Sequence, residues 1–61
     1  MQIYKMMTDG SAMILLIGDI TIHFTHYDKH PSGVNLMDGE RLAATLYFEQ
    51  ATEFYKAWRA M

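Results

Sequence analysis

The sequence has no cysteine. Disulfide staples are therefore excluded, and so are thiolate metal sites. Proline occurs once, at Pro31, and glycine four times, so the chain holds no proline-rich spacer and no low-complexity tract. Basic residues are few. Five Lys plus Arg stand against seven Asp plus Glu, for a formal charge of −2, and the five do not cluster. Nucleic-acid and polybasic membrane footprints both need a basic stripe, so no nucleic-acid and no membrane partner is expected. Long apolar runs are also missing. The longest, residues 12–17, falls far short of the ~20 needed to span a bilayer. Asp9 precedes that run and no small-residue cleavage site follows it, which argues against a signal peptide. A cytoplasmic location is the expectation.

What is present is apolar. Of 61 residues, 51% are hydrophobic and 20% charged, which excludes a disordered chain and leaves room for one domain, residues 1–61. Surface scaling gives roughly 10,000 Å² unfolded and about 4,000 Å² folded. Burial then contributes on the order of 90 kcal/mol, and ordering the chain costs about the same. A balance near zero directs attention to a metal or a partner subunit.

The first segment, residues 1–27, reads as a three-stranded antiparallel β-meander. Asp9-Gly10 suits a type I′ hairpin and Gly18-Asp19 a type II′ hairpin. Taken as two-residue turns, they set Met6 against Met13, Tyr4 against Leu15, Ile17 against Ile20 and Leu15 against Ile22. Alternation then gathers Tyr4, Met6, Met13, Leu15, Ile17, Ile20, Ile22 and Phe24 on one apolar face. Ile3, Lys5, Met7, Ala12, Ile14, Leu16, Thr21, His23 and Thr25 fall on the other. Residues 28–37 are expected to be a loop, with a short extended piece from Val34 to Leu36 as a fourth strand. Residues 38–61 read as one helix of about 23 residues. Asp38 is its N-cap, Glu40 adds charge to the first turn, and Met37 with Leu42 forms a hydrophobic staple. The fold class is α+β, in order β-β-β-α.

On a wheel, the apolar arc of that helix covers roughly 200°, about twice what one sheet needs. The arc is therefore expected to divide between the sheet and a second chain. The expected interface residues are Tyr47, Phe48, Phe54, Tyr55 and Trp58 on the helix, with Ile3, Ile14 and Leu16 on the outer sheet face. Aromatic residues favour such interfaces. A homodimer or higher oligomer follows, and ~1,600 Å² is the standard area of a stable contact.

Candidate chemistry is sparse. His23, His26 and His30 form H-x2-H-x3-H around Asp28, a ligand set suited to zinc. On a regular strand, however, His23 and His26 point to opposite faces. His26, Asp28 and Ser32 are sequence neighbours, which is not triad geometry. No nucleophile elbow, phosphate-binding glycine loop or paired-carboxylate motif occurs. The expectation is therefore a non-enzymatic protein without a cofactor. It acts as a homo-oligomer that binds a larger host protein, as inhibitor or adaptor. The chain reads as a complete small reading frame. In size and build alone it resembles the short anti-defence proteins of phages and mobile elements, and no motif carries that likeness. The alternatives are a self-assembling structural subunit and a His-based metal-binding protein.

Overall fold

The structure, a computed structural model, describes residues 3–61. The first two residues of the expected 1–27 meander lie outside the described residues. Six strands precede one helix: β1 (Tyr4–Asp9), β2 (Ala12–Ile17), β3 (Ile20–Phe24), β4 (His26–His30), β5 (Gly33–Asp38), β6 (Arg41–Tyr47) and α1 (Phe48–Arg59). They form two three-stranded antiparallel sheets, β1-β2-β3 and β4-β5-β6. The class is α+β, with the helix at the C-terminal end. The helix is too short and too polar to cross a membrane, as is every helix among the described residues.

Three of the hairpins share one device. Gly10, Gly18 and Gly39 each take the first central position of a two-residue turn, with φ of 65°, 60° and 64°. Positive φ at that position alone is the type II′ pattern. The β2–β3 register is the expected one, Ile17 against Ile20. The β1–β2 register is two residues away from expectation: Met6 pairs with Leu15 and Asp9 with Ala12. The turn is Gly10-Ser11, so Asp9 ends the strand and does not enter the turn. A two-residue slip preserves the faces. Leu15, Ile17 and Phe24 are buried, with Tyr4, Met6, Met13 and Ile22 packed beside them. Ile20, at the turn end of the same face, is exposed.

The expected 28–37 loop and 38–61 helix are corrected. The fourth strand exists, but as the centre of a second meander. Val34 and Leu36 lie in β5, with partners on both sides: Lys29 and Leu46 for Val34, Tyr27 and Ala44 for Leu36. Asp38 is the last residue of β5 and no helix cap; Gly39-Glu40 turns the chain into β6. Met37 and Leu42 do meet, as cross-strand partners and not as a staple. Residues 41–47 are rich in Ala and Leu, which favour helix, but Leu46 and Ala44 pair with the buried Val34 and Leu36, and a register irregularity sets the exposed Leu42 on the other face, against Met37. Pairing along β5 overrides the intrinsic preference.

The two sheets and the helix share one core of Leu15, Ile17, Phe24, Val34, Leu36, Leu46, Ala51 and Phe54. The helix contributes Ala51 and Phe54, flanked by Tyr55 and Trp58, the i, i+3, i+4, i+7 stripe of an amphipathic helix. It packs against β1, β5 and β6. Where it meets β1, burial, and then the nearby Glu53 carboxylate, raise the Tyr4 phenol above its ordinary pKa. Among the described residues no polar or charged side chain is buried. Thr25, between β3 and β4, pins the sheets together. Its N–H donates to the Met37 carbonyl (2.7 Å), and its hydroxyl accepts from the Gly39 N–H (2.9 Å).

Candidate protein-binding surface

The most distinctive surface feature grows from a glycine in mid-sheet. Gly33 on β5 lies between His30 on β4 and Tyr47 on β6. Residues directly opposite in a sheet share a face, and Gly33 places no side chain between the two rings. They meet edge to face, with centroids 5.4 Å apart at 88°. The site has no room for a larger residue. A Cβ at Gly33 would run into the Leu46 carbonyl oxygen and lie 2.9 Å from the Tyr47 Cα. A glycine within a strand often marks such a close backbone approach.

Tyr47 leads into Phe48, whose ring lies 6.3 Å from its own. Phe48 has φ of 48°, the only positive φ outside glycine among the described residues. That conformation costs a non-glycine residue roughly 1–2 kcal/mol. It is held by a hydrogen bond from the Phe48 N–H to the Ser32 carbonyl (2.9 Å). The Ser32 N–H in turn donates to His30 Nδ1 (3.0 Å). Nδ1 is therefore the acceptor, and in the neutral imidazole Nε2 carries the proton. The β4–β5 turn thus fixes both the imidazole and the strained start of the helix. Tyr47 is 47% exposed and Phe48 73%. The next row of the same face is polar: Asp28, Asn35 and Thr45 are aligned, and the Thr45 hydroxyl donates to Asn35 Oδ1 (2.8 Å). An aromatic centre beside polar neighbours matches the anatomy of protein interfaces.

The structure sorts the other expected interface residues. Phe54 is 0% exposed, so its placement against a second chain is corrected: it is core. Tyr55 and Trp58 are half-buried and turn inward around Tyr27, with centroids 5.7 and 5.1 Å from its ring. Phe54 joins them at 5.5 Å from Tyr27 and 5.8 Å from Phe24. The 200° arc depended on a helix through residues 43–47, which are strand. With a 12-residue helix the two sheets cover the apolar stripe, so that part of the argument for a second chain falls. Tyr47 and Phe48 remain outside. On the first sheet Ile3 is 75% exposed, and Ile14 and Leu16 are half-buried.

The histidine set is not gathered. His23 sits on β3 opposite Ile14. His26 opens β4, where its Nδ1 lies 3.0 Å from the Thr25 hydroxyl. Asp28 faces Asn35, and His30 is engaged with Ser32 and Tyr47. Among the described residues no three His, Asp or Glu side chains are placed to hold a metal ion. Neither the pairing of His30 with Tyr47 nor the strain at Phe48 was foreseen. Gly33, at the boundary between Pro31-Ser32 and the extended piece from Val34 to Leu36, was the available signal.

Comparison with known proteins returns no matching family model, no matching curated protein and no matching solved structure.

Proposed function

We propose that this chain is a small protein-binding protein. On this reading it works as a homo-oligomer in the cytoplasm and acts by occupying the surface of a larger protein, as an inhibitor or adaptor, with no chemistry of its own. The observation that carries the reading is Phe48. Two features of it are unfavourable to the chain alone: a strained backbone and a ring 73% exposed. Contact with a partner would offset the second and make use of the first. Strained residues concentrate at clamps and binding sites, and a large aromatic at the centre of a patch is the usual anchor of an interface.

Phe48→Gly separates folding from binding. Glycine accepts the positive φ, so the variant is expected to be as stable as the parent or more stable by about 1 kcal/mol. The test uses parent, Phe48→Gly and Tyr47→Ser chains as bait in one lysate, with folding checked by circular dichroism. A protein retained by the parent and lost by both folded variants supports the reading. Identical retention by all three overturns it.

A further inference from the structure

We propose that β1 is the edge through which two copies of this chain pair, antiparallel, with the twofold axis through Met7. The proposal deepens the homo-oligomer part of the reading above and is independent of the Tyr47–Phe48 patch.

The helix packs against β1, with Tyr4 and Met6 on the core side, while Lys5 and Met7 to Asp9 are exposed. Among the described residues β1 pairs with β2 alone, so the outer backbone groups along this exposed stretch form a template for a further strand. Lys5, Met7 and Asp9 are exposed and share the outer face. Pairing about Met7 sets Lys5 against the partner's Asp9, Met7 against the partner's Met7, and Asp9 against the partner's Lys5. Two opposite-charge pairs then flank one apolar contact, and directly opposed charges of unlike sign stabilise a sheet. Neighbouring registers that keep the faces matched lose this. An axis through Lys5 opposes two lysines. An axis through Met6 sets Lys5 against the partner's Met7. An axis through Thr8 sets Met7 against the partner's Asp9. The pattern is therefore self-complementary in one register.

The other edges suit pairing less. β3 packs toward β5 and β6. β6 carries a register irregularity opposite Leu36 and Met37, which blunts an edge. β4 has Asp28 at its midpoint, so pairing about its centre opposes two carboxylates. The geometry at β1 also leaves space. Tyr4, the β1 residue beside Glu53 of the helix, would lie six residues along the strand from the partner's Tyr4, about 20 Å. Helices about 10 Å wide clear one another at that separation. The joined outer face would run Ile14–Met7 into the partner's Met7–Ile14, giving the apolar side chains of the first sheet a continuous strip.

The chain has no cysteine, so Met7→Cys reports the register directly. Directly opposite residues have Cα atoms about 4.5–5.5 Å apart, within disulfide range, while Lys5→Cys would leave the thiols about 14 Å apart. Under mild oxidation Met7→Cys is expected to form a covalent dimer and Lys5→Cys is not. In sedimentation, Lys5→Asp and Asp9→Lys are each expected to weaken self-association at least tenfold, because each turns both pairs into like charges. The double variant K5D/D9K restores it. Mixing the two single variants is expected to give a heterodimer, since one subunit carries two acids and the other two bases. A parent chain that self-associates with no response to the charge changes, and with no Met7→Cys cross-link, overturns the β1 edge but keeps the oligomer. A parent chain that stays monomeric at every concentration reached overturns both.

Discussion

Gly33→Ala adds one methyl group, and the structure sets its cost. Gly33 is not in the positive-φ region, so the added Cβ brings no backbone penalty of that kind. The penalty is spatial. The obstacle is the Leu46 carbonyl, with Leu46 C and Tyr47 Cα both at 2.9 Å. These are backbone atoms of β6, so relief requires the β5–β6 ladder to open at that end. Val34 and Leu46, adjacent to the contact, are buried, and displacing packed side chains costs about 1–3 kcal/mol. The Phe48–Ser32 hydrogen bond spans the same gap, and losing it adds about 1 kcal/mol. The sum, about 2–4 kcal/mol, is a large share of the roughly 3–9 kcal/mol expected for 61 residues. At 4–8 °C per kcal/mol the melting temperature falls by about 10–30 °C. Gly10→Ala is the comparison: that position has positive φ and open space, so only the conformational cost of about 1–3 kcal/mol applies. Thermal and urea melts followed by circular dichroism give both numbers. If Gly33→Ala melts within a few degrees of the parent chain, the close approach of β5 to β6 is not as described.

Phe54→Ala removes a fully buried ring that meets Phe24, Tyr27 and Trp58. A cost of about 3–5 kcal/mol is comparable with the whole stability, so the variant is expected to be largely unfolded by circular dichroism, while Phe54→Leu folds with a loss of about 1–2 kcal/mol in urea. Tyr4 gives a pH test. Its phenol pKa is raised in the folded state by burial and by Glu53. The contribution is full below the ordinary phenol value near 10 and is lost as pH rises through the folded value. The melting temperature of the parent should therefore fall more steeply above pH 10 than that of Tyr4→Phe; equal slopes would refute the assignment.

The residues made the first sheet readable. In residues 12–24 alternation and a Gly-Asp turn agree, and Leu15, Ile17 and Phe24 are buried as expected. The β1–β2 slip arose because Asp-Gly is ambiguous: the pair can fill a turn, or Asp can end a strand while Gly leads the turn. The same ambiguity at Asp38-Gly39 was more costly, since the pair also resembles a helix start, and Ala and Leu in residues 41–47 suit either structure. Long-range pairing with β5 decided the outcome, and a local pattern does not contain it. Of the expected interface set, Tyr47 and Phe48 are exposed because they stand at the junction where β6 ends. Phe54 is buried because two sheets, not one, enclose the helix.

Each strand in either sheet is bonded only to its nearest neighbours in the chain, hairpin after hairpin. Such a topology forms mostly short loops, and short loops close quickly. Each meander can nucleate locally, and what remains is the packing of the two sheets on one another and the docking of the last segment of the chain onto the first strand. That closure is the one event that spans nearly the whole length of the chain. It is therefore the step expected to limit the rate at which the finished molecule assembles.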